Sequence, residues 1–208
     1  MKLLLGLIGI GLLLIPPAAA TATNFNKLHA SVKSLAVVAD GKLRNICTVS
    51  GINKSKHYWL TAAHCIEAVE YTYYIDGDKA FPVMRDVPND LAILRTNNIT
   101  VPTLKLAEQG PRVGDFVAVM GFPFGWTSQL YSPGVVMNTS MQIAPDEPGW
   151  DNYWMIINAQ GAPGNSGSPV FDKNDDIVGV VQIGWGRSWS VLGSVTYEVL
   201  AKYAVYWN

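Results

Sequence analysis

Most of the chain alternates short runs of β-branched and aromatic residues with Gly, Pro, Asn and Asp. Such runs predict β-strands separated by turns. Helical spacing is confined to a short turn over residues 63–68 and a terminal helix over residues 197–206. Many short strands with regular turns favour an all-β fold of antiparallel barrels. The predicted strands are residues 34–40, 44–52, 58–61, 71–75, 80–84, 91–95, 115–121, 134–139, 153–158, 169–171 and 177–183.

The first twenty residues have a different pattern. Lys2 is followed by an apolar run over residues 3–15, and then by two prolines and three alanines. This order is typical of a secretory signal peptide, with cleavage after Ala20 or Ala22. An uncleaved anchor is the weaker alternative, because the run is shorter than the ~20 residues of a spanning helix and ends in prolines. We expect a signal peptide at 1–20, a mature domain at 21–208, and a secreted or periplasmic protein without stable membrane association.

Composition and charge narrow the class of partner. Of the 208 residues 49% are hydrophobic, which is ample for the core of one globular unit built of two small barrels. The formal net charge is −1 and no block of Lys or Arg occurs. We therefore expect no nucleic-acid partner. The acidic run 172–176 lacks the Gly and terminal Glu of an EF-hand loop and is interpreted as a hairpin turn, so no metal or cofactor is expected.

Three residues suited to nucleophilic catalysis follow one another as His64, Asp90 and Ser166. They lie in Thr-Ala-Ala-His-Cys, Asn-Asp-Leu-Ala-Ile-Leu and Gly-Asn-Ser-Gly-Ser-Pro-Val. A serine hydroxyl needs an adjacent base, and that base needs a carboxylate to hold its tautomer. The other histidines, His29 and His57, also precede Ser166. This order excludes an α/β-hydrolase, in which the histidine comes last.

These motifs resemble the trypsin-like, chymotrypsin-fold serine peptidases over residues 34–185. Gly-Asn-Ser-Gly around Ser166 and the segment 112–125 are most similar to the HtrA-type and glutamyl-endopeptidase branches. The resemblance implies two antiparallel six-stranded β-barrels and a short C-terminal helix. The first barrel would span about 25–109 and the second about 113–196, with residues 108–111 as the linker.

The resemblance implies a role for each residue of the triad. Ser166 would be the nucleophile, and the N–H groups of Gly164 and Ser166 would form the oxyanion hole. His64 would be the general base, and Asp90, at the head of a buried run, would orient it. Three loop carboxylates remain as competitors for that last role, namely Asp76, Asp78 and Asp86. Ser168 is interpreted as structural.

Cys47 and Cys65, the two cysteines of the chain, fit one disulfide in an exported protein. The alternative is a pair of buried free thiols.

The specificity pocket is the least constrained part of the site. Gln160 falls at the base of the primary pocket by analogy with the trypsin branch, and Gly184 and Gly186 would line its wall. Because Gln160 is uncharged and residues 180–185 hold no histidine, we expect a preference for an uncharged residue at the cleaved bond. Asn165 stands where trypsins have an aspartate that pairs with a new N-terminus. A neutral amide cannot form that ion pair, so the oxyanion loop should be preformed or ordered by substrate.

The function predicted from these residues is that of an exported, monomeric serine endopeptidase that cleaves polypeptides through an acyl-enzyme. The alternative is an HtrA-like quality-control factor that binds or chaperones polypeptides on a protease scaffold. Fold resemblance alone does not decide between them.

Overall fold

The computed structural model describes residues 23–67, 71–99, 102–142, 153–185 and 190–207. The predicted signal peptide at 1–20 lies outside these residues. The described chain folds into two closed, six-stranded antiparallel barrels followed by a short C-terminal helix, which confirms the predicted fold class. In the described part of the chain, no helix has the length and apolar character needed to cross a membrane.

The first barrel closes in the order β1-β2-β3-β6-β5-β4. Its interior is apolar, with Leu35, Val49, Trp59, Ile75 and Leu94 all buried. Burial of this kind is the main stabilising term for a small barrel. The strands are β1 (Val32–Ala39), β2 (Lys42–Asn53), β3 (Tyr58–Thr61), β4 (Tyr73–Ile75), β5 (Asp78–Asp86) and β6 (Leu91–Arg95).

The second barrel closes in the order β10-β11-β12-β9-β8-β7. Val119, Val136, Ile157 and Val170 are among the side chains that fill it. The acidic segment 172–176 forms the turn between β10 and β11. The strands are β7 (Phe116–Gly121), β8 (Leu130–Gln142), β9 (Tyr153–Asn158), β10 (Pro169–Phe171), β11 (Ile177–Trp185) and β12 (Val191–Val195).

A third apolar cluster joins the two barrels. It combines Leu60 and Leu91 of the first barrel with Phe171 and Val180 of the second, together with Leu200 of the C-terminal helix. All five side chains are buried. The two barrels therefore share a core, and the cleft between them has fixed walls.

Three of the described elements were not predicted from the sequence, one of them a short 3₁₀ helix over Pro123–Gly125. Helix α1 (Phe25–Ser31) precedes the first strand and begins where the Asn24 side chain accepts a hydrogen bond from the Lys27 N–H. Strand β12 contains Gly193, which weakens a strand signal. A Cβ at Gly193 would lie 2.7 Å from the Trp185 ring, so glycine is needed for that contact.

The predicted terminal helix is shorter than expected. Helix α2 covers Tyr197–Leu200, and the chain continues as a 3₁₀ helix over Ala201–Tyr206. The predicted turn at residues 63–68 is likewise a 3₁₀ helix, over Ala63–Ile66. Short 3₁₀ segments of this kind are common at helix ends and in connections.

The predicted disulfide between Cys47 and Cys65 is confirmed. Cys47 lies on β2, and Cys65 lies in the 3₁₀ helix that follows β3, 18 positions further along the chain. Both residues belong to the apolar cluster of the first barrel. The bridge therefore fixes the 3₁₀ helix that contains His64 to the barrel wall.

Replacement of both cysteines, Cys47→Ala/Cys65→Ala, should lower the free energy of unfolding by about 3 kcal/mol, because a loop of this length is no longer constrained in the unfolded chain. Urea unfolding measures the change. A reductant should lower the stability of the unaltered protein by a similar amount and leave that of the double variant unchanged. Equal stability of the two proteins, with two free thiols in the mass spectrum of the unaltered one, would contradict the assignment.

Candidate active site

The register of the first barrel brings His64 and Asp90 together. Strands β3 and β6 are antiparallel neighbours, and Thr61 pairs with Ala92. His64 therefore comes just after the end of one strand, and Asp90 comes just before the start of the other. Short side chains at positions 62 and 63, both buried, allow the 3₁₀ helix to pack closely at this point.

The Asp90 carboxylate contacts His64 twice. One oxygen, Oδ1, accepts the His64 backbone N–H at 2.8 Å, and Oδ2 lies 2.8 Å from the ring nitrogen Nδ1. A carboxylate is an acceptor, so Nδ1 carries the proton and Nε2 is left with its lone pair. The His64 side chain is 37% exposed and that of Asp90 is 22% exposed. The pair thus has the arrangement that a general base requires.

The His64 pKa is raised above its ordinary value of 6.5. Burial lowers the pKa, but the hydrogen bond to Asp90 and the charges of Asp90 and Glu67 raise it by more. Because folding raises the pKa, protonated His64 contributes stability that is fully present below pH 6.5 and is lost as the pH rises through the folded-state pKa. The neutral base is depleted as the pH falls through the same value.

Ser166 lies in a tight loop before β10 that only glycine can form at two positions. Gly164 and Gly167 have φ angles of +101° and +82°. A Cβ at Gly164 would lie 2.3 Å from the Phe122 carbonyl, and one at Gly167 would lie 2.2 Å from the Thr48 carbonyl. The positive φ angle and the lack of space for a Cβ both exclude a side chain at either position.

Thr48 of the first barrel is hydrogen-bonded to this loop. Its N–H donates to the Ser166 carbonyl at 2.9 Å, and its hydroxyl donates to the Gly164 carbonyl at 2.9 Å. The same hydroxyl accepts the Phe122 N–H at 3.0 Å. Thr48 is fully buried, so these bonds are shielded from water. The loop of the second barrel is thereby held against the first.

The peptide that joins Pro163 to Gly164 is held in one orientation. The Pro163 carbonyl accepts the Phe124 N–H at 2.6 Å. Because C=O and N–H of a trans peptide point in opposite directions, the Gly164 N–H points away from Phe124. Within the described residues, neither the Gly164 N–H nor the Ser166 N–H donates a hydrogen bond. Two backbone N–H groups of the serine loop are therefore without a hydrogen-bond partner among the described residues.

His64, Ser166 and Gly164 line one pocket of about 320 Å³ between the barrels. Within the described residues, the Ser166 hydroxyl forms no hydrogen bond to the His64 ring. Such bonds are often long in a site without substrate. The other residues of the lining are Ile46, Cys47, Ala162, Pro163, Asn165, Val181, Gln182, Ile183, Gly184 and Leu192.

Of the residues predicted to form the specificity pocket, one is found in its lining. Gly184 lines the pocket, whereas Gly186 lies outside the described residues. Gln160 is exposed, its N–H donates to Ser132 Oγ, and it is not among the described lining residues, so its role remains a prediction. Leu192 was missed because it belongs to the unpredicted strand β12.

The competing carboxylates are engaged elsewhere. Asp76 forms an ion pair with Lys33 at 3.0 Å. Asp78 and Asp86 accept hydrogen bonds from residues other than His64. Among the four candidates, the structure puts only Asp90 in contact with the His64 ring.

Asn165 is buried, with 2% exposure, and neither polar atom of its side chain has a hydrogen-bond partner in the described chain. No charged partner faces it there, in keeping with a neutral amide at this position. The loop conformation is instead maintained by its backbone, since the Asn165 N–H donates to the Ala162 carbonyl and the Asn165 carbonyl accepts the Ser168 N–H.

One cluster of the described residues could in principle hold a metal. Donor atoms of Cys47, His64 and Cys65 lie within 4.8 Å of one another. Both sulfurs are consumed by the disulfide, so no thiolate ligand is available there.

Two barrels with a serine, a histidine–aspartate pair and two free N–H groups in the cleft define the architecture of a chymotrypsin-like peptidase. The family model described as trypsin-like peptidase domain matches residues 49–180, more than half of the chain. The chain belongs to this family, which confirms the resemblance found in its motifs.

Two proteins that are similar in sequence are named as serine proteases. A probable periplasmic serine endoprotease DegP-like of Halomonas elongata is 29% identical over 143 residues, which cover 65% of this chain and 29% of that protein. A probable periplasmic serine protease do/HhoA-like of Haemophilus influenzae is 30% identical over 137 residues, 62% of this chain and 28% of that protein. The chain thus spans about three tenths of the length of these curated relatives.

Solved structures share the fold. The active form of the Rv3671c protease from M. tuberculosis superposes with a TM-score of 0.71 at 24% identity, covering 85% of this chain and 80% of the other. The serine endoprotease from Yersinia pestis gives a TM-score of 0.68 at 20% identity, covering 88% and 65%.

The raised pKa of His64 depends on Asp90, so Asp90→Asn should lower it below the value in the unaltered protein. The substitution removes the charge, while burial of the ring continues to favour the neutral form. NMR titration of the His64 ring protons measures the pKa. Asp78→Asn, which removes a carboxylate that does not contact His64, is the control and should leave the pKa unchanged. A pKa that does not respond to Asp90→Asn would refute the pairing.

Proposed function

We propose that this chain is an exported serine endopeptidase that hydrolyses peptide bonds through an acyl-enzyme at Ser166. The observation that carries the proposal is that His64, paired with Asp90, lines the same pocket as Ser166 and Gly164, whose two N–H groups have no partner in the described chain. Membership of the trypsin-like peptidase family supports the same reaction class.

The first half of the reaction forms the acyl-enzyme. His64 Nε2 takes the hydroxyl proton as Ser166 Oγ bonds to the carbonyl carbon of the substrate. The carbonyl oxygen becomes an oxyanion, which accepts hydrogen bonds from the N–H groups of Gly164 and Ser166. Asp90 stabilises the imidazolium that results. The C–N bond then breaks, and His64 gives its proton to the leaving amine.

The second half regenerates the enzyme. Water bonds to the acyl carbon and passes a proton to His64, and the ester bond to Ser166 then breaks as His64 returns the proton to Oγ. The fixed Pro163–Gly164 peptide supports an oxyanion hole that is formed before substrate arrives. Donors that need no reorganisation stabilise charge most effectively in the transition state.

Export beyond the cytoplasm is part of the proposal. The disulfide supports an oxidising compartment, because such bonds are rare in the cytosol. The relatives described above are named as periplasmic proteins. The signal peptide and a monomeric state remain predictions.

Ser166→Ala should reduce peptide hydrolysis by several orders of magnitude, since the nucleophile is lost while binding and the oxyanion donors remain. Initial rates on a denatured protein substrate measure the loss, and circular dichroism checks the fold. Ser168→Ala is the matched control, because it removes a buried serine hydroxyl two residues away, and it should retain activity. A fluorophosphonate probe should label Ser166, and a label on another residue would overturn the site.

The same inactive protein tests the quality-control alternative. If binding without hydrolysis were the main function, the Ser166→Ala protein would suppress thermal aggregation of a client as fully as the unaltered protein. We expect no such suppression.

The lining of the pocket supports a preference for uncharged side chains at the cleaved bond. Apart from His64, the described lining residues bear no ionisable side chain, since both cysteine sulfurs lie in the disulfide. A buried charge would therefore lack a partner. Leu192 is buried, with 1% exposure, and packs against Gly161. A Cβ added at Gly161 would lie 2.6 Å from the Leu192 Cδ2. We propose that Leu192, as a lining residue, limits the pocket to small or medium aliphatic side chains.

Leu192→Ala should deepen the pocket and shift the preference towards larger apolar residues, by roughly tenfold in relative kcat/KM. The reason is that the additional methylene groups of a larger substrate side chain could then be buried. Profiling cleavage of a peptide library measures the shift. Leu192→Met, which conserves volume, should keep the original preference. A dominant preference for Lys, Arg, Asp or Glu in the unaltered protein would contradict this description of the pocket.

A further inference from the structure

Gln182 is a buried polar residue in the middle of an apolar strand. The neighbouring positions on β11 are valine and isoleucine, and Gln182 is only 9% exposed. A buried amide destabilises a protein unless its hydrogen bonds are formed. The Gln182 amide should therefore have a hydrogen-bond partner for each of its polar atoms.

All three contacts of the Gln182 amide are defined. Its Nε2 donates to the Asn89 carbonyl at 2.7 Å and to the Asp90 carbonyl at 3.1 Å. Its Oε1 accepts the Trp154 indole N–H at 3.0 Å. An indole N–H can only donate and a carbonyl can only accept, so the amide has one possible orientation. Trp154 thus turns both N–H groups of Gln182 towards the two carbonyls.

The two carbonyls belong to the turn that presents Asp90 to His64. Asp90 has a φ of +49°, which is uncommon for a residue with a side chain, and β6 begins immediately after it. Such a conformation persists only where the surroundings hold it. Gln182 bonds this turn from the opposite barrel.

The neighbouring residue of β11 holds the other half of the site. The Val181 carbonyl accepts the Gly167 N–H at 2.8 Å, and the Val181 N–H donates to the Ser168 carbonyl at 2.8 Å. These bonds fix the loop that contains Ser166. Residues 181 and 182 thus connect the nucleophile loop of one barrel to the Asp90 turn of the other.

We propose that Gln182 is a positioning residue, which holds the Asp90 turn, and through it His64, in register with Ser166 across the barrel interface. This inference rests on the serine-peptidase function proposed above. Displacement of Asp90 would loosen its contact with His64, so that the base would be less well oriented and less strongly stabilised when protonated.

The test uses Gln182→Met, a neutral change of similar volume that removes both donors. We expect kcat on a peptide substrate to fall by about 10- to 100-fold with little change in KM, because misplacement of a catalytic group affects the chemical step. Rates are normalised to the fraction of protein labelled by a fluorophosphonate. Gln109→Met, the same change at an exposed position, is the control and should match the unaltered protein.

A second readout separates positioning from a merely structural role. The pKa of His64, measured by NMR titration, should fall in Gln182→Met because the Asp90 contact is loosened. Trp154→Phe removes the donor that orients the amide and leaves Gln182 in place, so it should lower kcat by about fivefold in the same direction. This variant also provides the test if Gln182→Met does not fold.

A lower melting temperature with unchanged kcat and unchanged His64 pKa would overturn the proposal, since Gln182 would then only stabilise the fold. If the unaltered protein neither cleaves peptides nor labels at Ser166, the proposed function fails instead. The His64 pKa can still be compared between Gln182→Met and the unaltered protein in that case, and a decrease would support the positioning role.

Discussion

The distribution of the proposed catalytic groups over two barrels is the constraint on which this structure depends. His64 and Asp90 belong to the first barrel, and Ser166 belongs to the second. Hydrogen bonds that lie within either barrel cannot set the distance between the two halves. The shared apolar cluster, with Leu91, Phe171 and Leu200, limits sliding of one barrel on the other. Dispersion and burial are non-directional, however, so the fine register depends on the few hydrogen bonds that cross the cleft.

Those crossing bonds explain why particular residue types occur where they do. Thr48 offers both a backbone N–H and a hydroxyl to the serine loop, which a valine of the same shape could not do. Gly167 allows the loop to approach the Thr48 carbonyl, where a Cβ would be only 2.2 Å away. The same close approach would be lost with any larger residue. Burial strengthens these bonds, because water does not compete for the donors.

Sequence patterns predicted the elements whose signals are local. The His-Asp-Ser order and the glycines around Ser166 indicated the triad, and β-branched runs located eleven of the described strands. Strand β12 was missed because Gly193 and Ser194 lower its propensity, and its glycine is required by a contact with Trp185 on the neighbouring strand β11, which only the folded structure shows. Leu192 was missed with it. Helix α1 has a local start signal in its Asn24 cap, but its seven residues are too few to show a clear helical period.

Strand β11 combines functions that a local pattern does not separate. Val181 bonds to the serine loop through its backbone and the Gln182 amide bonds to the Asp90 carbonyl, while residues 181–184 all line the pocket. Backbone groups of a β-strand bond in the plane of the sheet, while side chains stand out of that plane, so adjacent residues can serve different purposes. A glutamine within Val-Val-Gln-Ile is therefore informative, because a buried amide requires partners, and the acceptors for its N–H groups are the two carbonyls of the Asp90 turn. One strand thus contributes both to the lining of the pocket and to the hydrogen bonds that reach the Asp90 turn.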